Sequence, residues 1–179
     1  MRLTLISLVL FISLTSTLFA QKDKPLPNPP ESSNRLFYIQ LVNGNVITYD
    51  ANFVRAGQLH AKDPVHPYWI RYSNSEGGRI KELNAIQRNL AYGVTCKPLA
   101  NEANAFDMVV VGYKKRRFKI TTDSKGNPIA VFPINGKQNQ LTKVFVKEEG
   151  GGLIPTILYV DLFGKDLKTG ADVFERFVP

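Results

Sequence analysis

The stretch RLFYIQLVNGNVITYDAN, residues 35–52, decides the fold. Aromatic and β-branched side chains lie on both sides of Asn43-Gly44, a dipeptide that accepts the positive backbone angles of a tight turn. The reading is a β-hairpin with a two-residue turn. Because successive side chains of a strand point to opposite faces, Phe37, Ile39 and Leu41 share one face of the first strand and Leu36, Tyr38 and Gln40 the other.

Beyond a loop containing Asp63-Pro64 and His66-Pro67, YWIRYS, residues 68–73, reads as a third strand. Its period of two sets Tyr68, Ile70 and Tyr72 against Trp69 and Arg71. NSEGG then turns the chain, and the period changes. Ile80, Leu83, Ile86 and Leu90 fall at three- and four-residue steps, which predicts a helix over residues 79–91 with one apolar stripe, ended by Gly93. After it the strand pattern returns in GVTCKPL, FDMVVVGY, RFKITTD, PIAVFPI, LTKVFVKE, PTILYVDLFG and DVFERFV, separated by ANEANA, KKR, SKGN, NGKQNQ, EGGG and KDLKTGA. Links this short favour antiparallel neighbours, since a parallel crossover takes about a dozen residues.

The fold class that follows is mainly β: an antiparallel β-barrel or β-sandwich of about ten strands with one short capping α-helix. MVVVG and TILYVDLF are apolar on both faces, so these strands are either covered on both sides or turn one face to a cavity. The helix stripe needs an apolar sheet face or a barrel mouth to lie on.

The chain has 179 residues, enough for one domain with appendages. Residues 1–20, MRLTLISLVLFISLTSTLFA, join Arg2 to an apolar run ending in Ala20, the pattern of a cleavable signal peptide. No later segment is apolar for long enough to span a bilayer as a helix. Residues 21–33, QKDKPLPNPPESS, read as a proline-rich disordered tether, and residues 34–179 as a single β-rich domain. No cysteine stands directly after the expected cut, so the acylated-cysteine lipoprotein signal is absent and a periplasmic or secreted protein is expected. Cys96 is the only cysteine, which rules out an internal disulfide. Lysine and arginine number 23 against 15 acids, a surface that attracts anions. Export makes nucleic acid an unsuitable partner and leaves acidic glycans, lipid headgroups or acidic proteins.

Trp69 and Arg71 share a strand face beside Tyr68, and Arg88 and Tyr92 sit on and after the expected helix. Together they form a candidate ligand site, with Arg71 as the anion contact and the rings as walls. The alternative is that Arg71 lies over the indole or pairs with an acid on a neighbouring strand. Lys114, Lys115, Arg116 and Arg117 read as a basic hairpin tip that could hold an anionic partner, or simply stay solvated and protect strand edges. His60, Asp63 and His66 recur at three-residue steps, but Pro64 and Pro67 interrupt any regular element that would fix metal geometry. No nucleophile elbow, zinc-protease helix or phosphate loop is present, and EGGG precedes a strand where a phosphate cradle needs a helix. Asp50, Asp107 and Asp161 are unlinked by any catalytic spacing. Nothing in the sequence asks for a cofactor.

Taken together, NRLFYIQ, YDAN, YWIRY, ELNAIQRNLAYGV and the closing YVDLFGKDLKTGADVFERFVP resemble a family of exported bacterial domains of unknown function of the DUF4833 type. The resemblance covers residues 34–179 and implies a single exported domain, with no activity or site residues attached. The expectation is a non-enzymatic exported β-domain that binds a small amphipathic or anionic ligand. A cell-envelope module using the basic tip stands second, and an exported hydrolase without a recognisable motif third.

Overall fold

The hairpin is built from β1 (Arg35–Leu41) and β2 (Val46–Ala51), paired antiparallel. The computed structural model describes residues 25–150 and 156–179. The turn is one residue longer than expected. The Gly44 N–H donates to the Leu41 carbonyl at 3.0 Å, the Leu41 N–H donates to the Asn45 carbonyl at 2.9 Å, and of the loop residues Val42, Asn43 and Gly44 only Gly44 takes a positive φ, +83°. Asn43 stays at negative φ because its side-chain oxygen accepts the Asn45 N–H at 3.0 Å, a local bond that holds the turn.

β3 (Phe53–Arg55) and β4 (Gln58–Leu59) form a separate two-stranded ribbon. β5 (Val65–Arg71) returns to pair with β2, and β6 (Arg79–Glu82) pairs with β5. The helix expected over residues 79–91 is therefore corrected to α1 (Ala85–Leu90). Arg79–Glu82 gains a full ladder against β5, from Arg71–Arg79 to Tyr68–Glu82, and a helix would forgo it. Asn84 then starts α1 with a reciprocal cap: its side chain accepts from the Gln87 N–H at 2.9 Å, and the Gln87 side chain accepts from the Asn84 N–H at 3.0 Å. Leu83, 4% exposed, is the one member of the expected stripe that enters the core.

β7 (Val94–Pro98), β8 (Phe106–Val110), β9 (Tyr113–Thr122), β10 (Pro128–Ile134), β11 (Lys137–Glu149), β12 (Thr156–Asp166) and β13 (Asp172–Phe177) complete the chain. The path β6-β5-β2-β1-β11-β10-β9-β8-β7 is a strongly curled half-barrel, with β12 on β11 and β13 on β12. Two leaves meet on the 13-residue β11. β10 pairs with its first part, Lys137–Leu141, and β1 with Lys143–Val146, while β12 runs along the opposite edge from Asn139 to Glu149. The β11–β12 register shifts between Leu141 and Lys143, where the partner on the other edge changes. Such a bulge bends a strand, and here it lets one strand serve both leaves. The β1–β11 pair is parallel, so the sheet is mixed and not wholly antiparallel as expected. The short-link rule governs neighbours in sequence; these two strands are joined through most of the domain.

The two outermost strands, β6 and β7, are joined by α1, so the helix bridges the free edges of the leaves and covers the open side of the curl. Between the leaves runs an aromatic row. Tyr49 of β2 stacks on Phe37 of β1 (centroids 4.5 Å apart), Phe37 on Phe118 of β9 (5.2 Å), and Phe118 meets Phe132 of β10 (4.5 Å). Outside the first leaf, residues 25–33 of the expected tether form no helix or strand and lie along the sheet. The Gln40 side chain donates to the Pro27 carbonyl at 2.6 Å and the Tyr72 hydroxyl to the Asn28 carbonyl at 3.0 Å. Gln40 and Thr48, both 0% exposed, sit on this leaf.

Candidate functional site

Inside the curl is a cavity of about 850 Å³. Its wall is the alternation read in the first strand: Phe37, Ile39 and Leu41 face it from β1. Phe118 and Phe132 contribute the aromatic floor, Val144 and Val146 come from β11, and Val160 and Leu162 from β12. The two-sided apolarity of TILYVDLF thus has a cavity on one face. On the open side Ile86, Leu90 and Tyr92 of the α1 segment close over it, with Ile157 at the rim. Ile86 and Leu90 stay 70% and 71% exposed, so the helix forms a partial cover with an apolar mouth.

The cover is pinned at its C-terminal end. The Tyr49 hydroxyl, fully buried, donates to the Tyr92 carbonyl at 3.0 Å, and burial together with the neighbouring Tyr92 pushes its ionisation well upward, so it remains a donor. The Val111 N–H donates to the Gly93 carbonyl and the Gly112 N–H to the Ala91 carbonyl, both at 2.8 Å. One leaf thus holds the cover through a side chain, the other through backbone.

The residues singled out in the sequence do not converge on one point. Tyr92 lines the cavity. Trp69, 7% exposed, packs edge-on against Tyr92 with centroids 5.2 Å apart and supports the wall from behind. Arg71 pairs with Glu76 at 3.3 Å, and its guanidinium lies 5.7 Å from the Trp69 ring, the arrangement of a structural cation. Tyr68 turns to the outer face, where its hydroxyl donates to Asp50 at 2.9 Å. Arg88 reaches Glu82 at 3.6 Å and does not line the cavity.

The basic run is corrected from a hairpin tip to part of a strand. The turn falls earlier, at Val111-Gly112, and Lys114 to Arg117 lie within β9. Arg116 bonds Glu175 at 3.3 Å with its guanidinium 4.5 Å from the Phe177 ring, and Arg117 donates through Nε to Asp107 at 2.8 Å. Lys114 and Lys115 are exposed. The three aspartates each face an arginine: Asp50 with Arg35, Asp107 with Arg117, and Asp161, 5% exposed, with Arg176 at 2.6 Å. His60 accepts the Asp63 N–H at 3.1 Å, while His66 bonds Glu82 at 2.9 Å.

Cys96 of β7 packs against the core, and burial, reinforced by the charge of Asp63, pushes its thiol up to about 12. Since the thiolate is the reactive form, iodoacetamide near neutral pH should leave the folded protein unmodified and label one site after unfolding in guanidinium. Rapid labelling of the native protein, followed by intact mass, would contradict this placement.

Glu148 was not anticipated. It continues the inward row Val144, Val146 by the same period of two, and that alternation was the available signal.

A curled, mainly β domain with a helix over an apolar interior is the class these elements define. The chain belongs to the family described as a domain of unknown function, DUF4833, whose model matches residues 37–176. No curated protein and no solved structure matches it. Among the described residues no helix is long and apolar enough to cross a membrane.

Proposed function

We propose that this is an exported, non-enzymatic domain that binds a small amphipathic ligand in the covered cavity. The observation that carries the reading is the cavity itself. Its volume of about 850 Å³ lies within the range of small-molecule sites, roughly 300 to 1,000 Å³. Its lining is chiefly aliphatic and aromatic, with an apolar mouth left open beside a short helix. The signal-like residues 1–20 support export. The envelope-contact reading keeps only Lys114 and Lys115 of the basic run as exposed cations without an acid partner among the described residues. For a hydrolase built on the strand aspartates or the histidines, Asp50, Asp107 and Asp161 are each engaged by an arginine and His66 by Glu82.

The test is native mass spectrometry of residues 21–179 purified from a periplasmic extract without denaturant. A reproducible extra mass, shed on unfolding, is expected. Val144→Phe places a ring in the cavity from the middle of β11, and should remove the extra mass and weaken binding of the neutral dye Nile red by about tenfold or more. Its melting temperature should hold or rise, because the ring fills space already present. A variant that kept the extra mass and the dye affinity would sink the cavity reading.

A further inference from the structure

The polar groups of the cavity are few and one-sided. Gln87, Tyr92, Tyr113 and Glu148 supply polar side chains, and among the described residues no lysine, arginine or histidine lines the space. Glu148 closes the inward row of β11 next to Ile157, its neighbour across the β12 ladder, which lines the rim. Among the described residues its carboxylate has neither a hydrogen bond nor an ion pair, unlike Asp50, Asp107, Asp161 and Glu175. Tyr92 lies close enough to feel it: burial first, and then the Glu148 charge, push the Tyr92 phenol upward. Tyr92 therefore stays protonated beside the carboxylate. Glu148 thus offers an anionic acceptor beside the apolar lining.

We infer that the ligand of this cavity is an amphiphile with an ammonium head, its chain among Ile39, Val144, Val146 and Leu162 and its head on the Glu148 carboxylate. The inference rests on the ligand-binding reading above and narrows it. It moves the polar contact from Arg71, which Glu76 already engages, to an acid on the opposite strand system. Carboxylate and phosphate heads are disfavoured, since they would meet Glu148 with like charge and no cation among the described lining residues. An alcohol head, able to donate without charge, falls between.

The experiment is displacement of Nile red from the intact mature protein by dodecylamine, dodecanol and dodecanoate, each below its micelle concentration, near neutral pH. Dodecylamine should displace the dye at a concentration about tenfold or more below that of dodecanoate, as a charge-assisted hydrogen bond implies. Glu148→Gln should bring that ratio towards one, and Glu148→Lys should invert it. Equal displacement by all three, or an unchanged ranking in Glu148→Gln, would overturn the head-group assignment and leave the cavity reading standing. Failure of the dye and of all three amphiphiles to bind would overturn both.

Discussion

Phe37→Ala should lower the unfolding free energy by about 3–5 kcal/mol, the usual cost of truncating a buried aromatic ring. Phe37 is 0% exposed and stands between Tyr49 and Phe118, so its ring joins the two leaves across the cavity floor. Removing it strips the stacking partner from both neighbours and adds its own volume to an existing cavity, which the surroundings cannot collapse to fill. Against a typical total stability of about 5–15 kcal/mol, the loss is large. For a domain of this size a melting point lower by about 10 °C is expected. Calorimetry or urea unfolding measures it directly, with Phe37→Leu as the comparison that retains most of the apolar contact. A loss below about 1 kcal/mol would mean that the aromatic row does not hold the leaves together.

The second large effect is expected from Gly93→Ala. Gly93 sits where the cover hands over to β7, and a Cβ there would overlap the carbonyl oxygen and carbon of Arg88. Both obstacles are backbone, and no side-chain rotation relieves them. Gly112, at the facing turn, is similarly crowded: a Cβ would lie 2.7 Å from the Ala91 oxygen. Because the cover is fixed by bonds at Ala91, Tyr92 and Gly93, the extra methyl must either lift the helix or break those bonds. The expected cost is about 3 kcal/mol, the upper end for overpacking, and, on the ligand-binding reading proposed above, the extra mass expected in native spectrometry should be lost. A variant with unchanged melting and unchanged binding would show that the cover moves freely and that the pinning has no role in holding a ligand.

What the sequence made legible were the features fixed by neighbours a few residues apart. Residues 35–52 announced their hairpin because Asn43 and Gly44 are punctuation that acts locally, and the same alternation placed Phe37, Ile39 and Leu41 on the cavity side. The end of the helix was legible only approximately: α1 stops at Leu90 with Ala91 as its cap, and Gly93, expected as the terminator, is not in the left-handed conformation. The helix start was not legible, because the three-residue steps from Ile80 to Leu83 and Ile86 run from an edge strand into a helix, and only pairing with β5 separates them. The four cations of Lys114 to Arg117 resembled a solvated tip until Asp107 and Glu175 arrived from elsewhere in the chain to receive two of them. The site divided in the same way. Tyr92 could be placed near the cover from its position after the helix, whereas the sequence leaves Arg71 open between an anion contact and a structural cation, because Glu76, five residues on across a turn, gives no sign of being its neighbour. Glu148 stood in a strand of mixed character, and its meaning depends on β1, β12 and the helix closing around it.

The sharing of β11 between the leaves has a consequence for how the chain reaches its native state. The register Tyr38–Lys143 joins positions about a hundred residues apart, and loop-closure entropy must be met before any of those bonds form. The first leaf can assemble by local hairpins as soon as β6 is available, yet its β1 edge stays unsatisfied until β11 emerges near the end of the sequence. Folding should therefore be slow for the domain's length, with final closure late and dependent on the C-terminal strands. That order keeps the interior from sealing while the polypeptide is still incomplete, and a chain cut before β11 would expose an apolar strand edge ready for aggregation.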